Sequence, residues 1–223
     1  MPVLDRDGEV YVLGLGDTEN RFHPDWIAAV QEHLDTVAAA DGPRALVTTG
    51  AGKFYSNGLD LDWVQQNGDK FPEYIASVHA LLARVLSLPV PTVAAIQGHS
   101  FAGGAMFAIA HDLRVMRADR GFFCLPEVDI KLPFTTGMTG LLQGRLSKKT
   151  AHEAMTTGRR YGGTDALEAD LVDAVAHEDD VLSTAVEMAR PLAGKAGAAL
   201  GTIKERMYVA ALTALRDAEH PLD

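Results

Sequence analysis

HSFAGGAMFAIAHDLRVMRADRGFFCLPEVDIKLPF, residues 99–134, decides how this chain is read. A run of small residues, Ala102, Gly103, Gly104 and Ala105, opens an apolar pattern at helical spacing. Small residues at a helix start let a ligand approach bare backbone N–H groups, which that end of a helix leaves unpaired and partly positive. Downstream, one acid, Glu127, sits among Phe122, Phe123, Leu125, Val128, Ile130 and Leu132. A carboxylate in such surroundings loses water and becomes a proton-transfer group. An anion trap beside a lone acid–base is an enzyme's combination.

Around this stretch the pattern alternates. Residues 9–15, EVYVLGL, predict a strand stopped by Gly16-Asp17, and Trp26, Ile27, Val30, Leu34 and Val37 predict the helix that follows His23-Pro24. Strands are expected at 44–49, 92–96, 113–116 and 121–125, and a long helix from about Phe71 to Leu88, ended by Pro89 and Pro91. KFYSNGLDLDW, residues 53–63, reads as a loop with a Ser56-Asn57-Gly58 turn. Beyond Thr136 the chain is almost entirely helical, with one short strand within 171–176. Residues 1–150 thus read as an α/β core of strand–strand–helix repeats, and 151–223 as a helical extension joined without a linker.

The 223 residues suffice for one domain with a sizeable core. A net charge of −10 with no basic stripe excludes a general nucleic-acid binder. Cys124 is the one cysteine, so no internal disulfide forms, and a small buried apolar role is expected of it. No apolar run reaches the roughly 18 residues of a membrane span, and a cytoplasmic location is expected. The eight histidines show no zinc spacing, and Asp60 and Asp62 lack a third ligand nearby, so no metal is expected. GHSFAGGAM is neither a nucleotide-binding glycine motif nor the elbow of a serine hydrolase. For Glu127 the residues leave open a structural role, capping a helix or pairing with Arg114 or Arg117.

Taken together, the F-x-S-x-G-x-D-L turn at 54–61, the Gly-Gly helix start at 103–104 and the downstream Pro126-Glu127 resemble the crotonase superfamily of enoyl-CoA hydratases and isomerases. S-N-G-L-D-L at 56–61, A-G-G-A-M at 102–106 and the Glu127-to-Pro133 spacing are similar to its Δ3,Δ2-enoyl-CoA isomerase branch. The resemblance implies a spiral of ββα repeats, assembly as a homotrimer or hexamer through a helical extension that also serves as a lid, and an acyl-CoA thioester substrate with no separate cofactor. It places the thioester oxygen between the backbone N–H groups of Asn57 and Gly103. Acyl-CoA contacts fall on Arg21, Phe22, Lys53, Ser56, Gly58, Leu59, Asp60 and Gly104, with Arg21 and Lys53 as phosphate partners. Hydratases of the family carry two catalytic glutamates; here the helix position of the first is Met106 and the second is Glu127. One carboxylate suffices to shuttle a proton from C2 to C4 of a 3-enoyl thioester. A hydratase, another acyl-CoA enzyme of this fold, and a non-catalytic acyl-CoA binder stand as alternatives. Lys131, where the family often has Gly, either pairs with Glu127 or is solvated or at a subunit contact.

Overall fold

A computed structural model describes residues 1–222. The elements run β1 (Val3–Asp7), β2 (Val10–Gly14), α1 (Pro24–Ala39), β3 (Ala45–Thr49), β4 (Phe54–Ser56), α2 (Leu61–Gln66), α3 (Phe71–Leu86), β5 (Thr92–Ile96), β6 (His99–Phe101), α4 (Gly103–Ala110), β7 (Leu113–Arg117) and β8 (Phe123–Cys124). They continue with α5 (Glu127–Ile130), α6 (Thr136–Arg145), α7 (Lys148–Thr157), α8 (Gly163–Glu168), β9 (Ala174–Ala176), α9 (Val181–Ala189), α10 (Ala198–Met207) and α11 (Val209–Leu215).

Two sheets share the strands. The larger has the order β1-β2-β3-β5-β7-β9, antiparallel only between β1 and β2; the smaller is β4-β6-β8, all parallel. Each repeat places its first strand in the large sheet and its second in the small one before a helix returns: β3-β4-α3, then β5-β6-α4, then β7-β8-α5. This is an α/β spiral of ββα repeats, the arrangement that the resemblance implies.

Burial on both faces explains why the central strands β3 and β5 are largely apolar on both faces. Leu46, Ala94, Ile96 and Met116 enter the main core with α1, α3 and α4. Ala45, Val47, Val93, Ala95 and Val115 face the other way, onto Val181, Ala185 and Ala189 of α9. All eight residues of α4 are buried, which accounts for a helix with no polar stripe.

Two expectations change. The 53–63 segment is not all loop: Phe54–Ser56 is a strand of the small sheet, and Asp60 caps α2 by accepting from Trp63 N–H at 3.2 Å. The glycine-rich turn carries a further strand, β6, before α4. The 151–223 segment carries the short strand expected within 171–176: β9 pairs with β7, Val115 opposite Ala174, and the segment's helix α9 covers the second face of the large sheet.

Candidate active site

The site is built where the small sheet turns into α4. Ala102, between β6 and α4, adopts φ 50° and ψ −124°, a region that a residue with a Cβ rarely visits. Such a conformation costs on the order of 1–3 kcal/mol and concentrates at functional sites. It aims the first turn of α4 at the facing loop, and the N–H groups of Gly103, Gly104 and Ala105 have no acceptor among the described residues.

That facing loop is the Ser56–Asp60 turn, pressed against the helix start. Gly58 has φ +76°, and a Cβ there would lie 2.6 Å from Gly103 N; a Cβ on Gly104 would lie 2.3 Å from the Ser56 carbonyl oxygen. Both glycines therefore serve close backbone approach, as does buried Ser56, whose Oγ donates to Asn20 O at 2.8 Å and accepts from Gly58 N–H at 3.2 Å.

Asn57 cannot be the donor expected of it. Its N–H is committed to Glu19 O at 2.9 Å, and that of Gly58 to Ser56 Oγ. Asp60 N–H in turn donates to Tyr74 Oη at 2.9 Å. The N–H of this turn left without an acceptor is that of Leu59, two residues further on.

Glu127 opens α5, the single helical turn that follows β8 and Pro126. It is 4% exposed, and its Oε2 has no hydrogen-bond partner. Desolvation raises its pKa to about 7, only partly opposed by its own backbone N–H. Neither arginine neutralises it: Arg114 pairs with Asp173, and Arg117 with Asp119 and Glu178. Lys131 is exposed in the left-handed conformation, φ 59°, with no ion pair among the described residues, so it is not Glu127's partner. The left-handed φ also explains why glycine suits this position. Asp129 is turned by the helix toward Gly158, where an added Cβ would come within 2.6 Å of its carboxylate.

Beside these groups lies a cavity of about 410 Å³. Leu59, Leu61, Phe101, Ala102, Cys124, Pro126 and Ile130 make its wall, with Asn57, Arg21, Asp62 and Arg160 at its polar edge. Glu127 itself does not line it, whereas Cys124, Pro126 and Ile130, its neighbours in the chain, do. A larger hollow of about 630 Å³, between α3 and α10, holds neither Glu127 nor the α4 start.

Several expected ligand contacts are structural. Phe22 is fully buried, stacked on Trp26 at 5.1 Å, and forms the floor under Gly103. Arg21 lines the cavity, where Glu19 and Asp62 accept from its guanidinium and raise its pKa. Lys53 does not reach this cavity; it lines a neighbouring one of about 190 Å³ with Arg117 and Arg120. Sequence patterns alone do not reveal the Leu59 N–H, the strained Ala102 or Arg160. No motif marks Arg160, which reaches the cavity from the loop after α7. Among the described residues no group of His, Cys, Asp or Glu is placed to hold a metal, and no helix is long and apolar enough to cross a membrane.

A family model described as enoyl-CoA hydratase/isomerase matches residues 9–220. The chain belongs to that family. A relative from Arabidopsis thaliana, enoyl-CoA delta isomerase 3, is 36% identical over 93% of this chain and 92% of its own length. A putative enoyl-CoA hydratase from Thermus thermophilus is 32% identical over 89% of this chain and 80% of its own. Among solved structures, a probable enoyl-CoA hydratase from Mycobacterium tuberculosis superposes with a TM-score of 0.90 at 28% identity, covering 98% of this chain and 93% of that one. Both activity names thus occur among similar proteins.

Proposed function

We propose that this member of the family is an enoyl-CoA isomerase that moves a C=C bond from position 3 to position 2 of an acyl-CoA. The observation that carries the reading is the buried, desolvated carboxyl of Glu127, next in the chain to cavity-lining Pro126 and without a salt-bridge partner among the described residues, with Met106 buried in α4 where the family's second acid would stand. The thioester oxygen sits between the N–H groups of Leu59 and Gly103, the unpaired donors on the two sides of the close Gly58–Gly103 contact. Glu127 as carboxylate takes a proton from C2, and the electron pair spreads over C2, C3, C4 and the thioester oxygen as a dienolate. The two N–H groups stabilise the charge on that oxygen, an effect for which losing one donor costs about 10²–10³ in rate. The protonated Glu127 then returns the proton to C4 and leaves the conjugated 2-enoyl thioester. The steps are redox-neutral and conserve every atom, so the reaction needs no cofactor beyond the coenzyme A of the substrate.

A carboxyl poised at about pH 7 suits both halves of this shuttle, since a catalytic group works best with its pKa near the operating pH. Hydration would also require a group to hold and activate water, and buried Met106 supplies none. The test is to incubate the protein with 3-hexenoyl-CoA and follow the conjugated product by ultraviolet absorption. Isomerisation that collapses in Glu127→Gln supports the reading. Water adducts by mass spectrometry, or tight binding of the thioester without turnover, would overturn it. A trimer or hexamer by light scattering is the assembly proposed.

A further inference from the structure

The Leu59 N–H owes its direction to the two peptide units that meet at that residue. A peptide unit is rigid, so its N–H turns only as its C=O turns. The Gly58–Leu59 unit is held through its carbonyl, which accepts from Phe22 N–H at 2.8 Å. The Leu59–Asp60 unit is held at both ends: its carbonyl accepts from Leu61 N–H at 3.1 Å, and its N–H donates to Tyr74 Oη at 2.9 Å. The first two anchors are backbone. The third is a side chain, brought in from the N-terminal part of α3. Tyr74 is 3% exposed, and its ring lies 5.1 Å from that of Trp63. Trp63 N–H in turn donates to Asp60 Oδ1 at 3.2 Å, so Asp60 is gripped at its amide by α3 and at its carboxylate by α2. Burial holds the Tyr74 phenol above its ordinary pKa, so the hydroxyl stays neutral near pH 7. The cavity wall does not include Tyr74.

On the isomerase reading above, we propose that Tyr74 is a positioning residue for the reaction: its hydroxyl holds the Asp60 amide, and through it aims the Leu59 N–H at the thioester oxygen. Donors of this kind work because they are already oriented when charge develops on the oxygen. Without the Tyr74 hydroxyl the Leu59–Asp60 unit keeps only the anchor within its own turn, and the backbone at Leu59 is freer to rotate. A hydrogen bond weakens steeply as it leaves its line. The neutral carbonyl of the bound thioester loses little by this, and the dienolate oxygen loses more. The effect therefore falls on the chemical step rather than on binding.

Tyr74→Phe tests the proposal, since it removes the hydroxyl and keeps the ring against Trp63. With 3-hexenoyl-CoA, kcat is expected to fall about tenfold, less than the 10²–10³ of losing a donor outright, while KM stays within about twofold. The midpoint of the pH profile should not move, because Glu127 is untouched. A second measurement reads the donor itself: the infrared stretch of unreactive hexanoyl-CoA carrying ¹³C at its thioester carbonyl. Binding to the unaltered protein should lower that frequency, and binding to Tyr74→Phe should lower it less. The signal comes only from molecules that hold ligand, so a partly unfolded variant does not obscure it. Lys204→Met, which weakens the fold far from this turn, should change neither kcat nor the carbonyl frequency. A rise in KM at constant kcat would overturn the proposal, because Tyr74 would then be supporting the binding surface. So would a tenfold loss of kcat with an unchanged carbonyl frequency. If the unaltered protein isomerised the substrate and lowered the frequency, and Tyr74→Phe matched it in both, this inference alone would fall; if the unaltered protein did neither, the isomerase reading would fall with it.

Discussion

Two buried charges in this molecule are treated in opposite ways. Lys204 of α10 is as buried as Glu127, 4% exposed in each case, yet its charge is paired and hydrogen-bonded. Its Nζ donates to Asp112 at 2.7 Å and to Val90 O at 3.1 Å, and Asp112 in turn accepts from Thr92 N–H at 2.8 Å and Thr92 Oγ1 at 3.1 Å. That cluster ties α10 to the start of β5. Glu127 has an oxygen with no partner and nothing to neutralise it. A buried polar group without a partner lowers stability by about 1–3 kcal/mol, more if charged. A charge that only holds the fold together is satisfied, and a charge kept unsatisfied marks where chemistry is expected.

The contrast breaks most visibly at Glu127. Glu127→Gln is expected to lower isomerisation by about 10²–10⁴-fold, the usual share of general acid–base catalysis. The same variant should be more stable than the parent at pH 8. Burial raises the folded-state pKa from 4.5 to about 7, so the native state keeps a proton that the unfolded chain releases. Stability is therefore lost as pH rises from about 4.5 through 7, and glutamine removes a penalty of roughly 3 kcal/mol at most. Thermal melts at pH 4 and pH 8 decide it: a gain only at pH 8 fits, whereas equal effects at both would mean that the carboxyl is not desolvated.

Next in size is the donor pair. Gly58→Ala puts a methyl 2.6 Å from Gly103 N at a φ of +76°, so the loop must retreat from α4. A fall in kcat/KM of about 10²-fold is expected, with kcat carrying most of it; unchanged kinetics would separate this turn from the reaction. At the satisfied charge, Lys204→Met leaves Asp112 without its cation. The Asp112 side chain is 30% exposed and water relieves part of the loss, so about 2–3 kcal/mol is expected, below the usual cost of breaking a buried pair. Denaturant melts measure it, and turnover per folded molecule should stay as it was. The gentlest probe is pH itself: kcat/KM should fall about tenfold per unit below pH 7 as Glu127 takes up its proton. A flat profile from pH 5 to 8 would show that another group sets the rate.

Much of this was legible in the chain because it is local. The central strands β3 and β5 are largely apolar runs of five residues, and Pro89 and Pro91 bound α3, so composition alone places them. Glu127 and Gly103 stand out as the acid in an apolar run and the first small residue of an apolar helix. The small sheet was less legible, since strands of three, three and two residues carry no periodicity. The donor opposite Gly103 was misread for a non-local reason. The turn is visible in Ser56-Asn57-Gly58, but which of its N–H groups is free depends on Glu19 O, brought in from the far end of the preceding repeat. Arg21 illustrates the same limit: a cation on paper, it is spoken for by Asp62 only because α2 is a helix.

The closing of the large sheet by β9 bears on how the chain is made. Ribosomal synthesis delivers residues 45–117, the strands β3, β5 and β7, well before residues 174–189, which supply the outer strand and cover one face. Until then Val47, Val93 and Val115 have no cover on that side. A fragment ending at residue 150 is therefore expected to clump through a bare valine-rich face rather than fold as a smaller enzyme, and its recovery in the soluble fraction as a folded species would show the opposite.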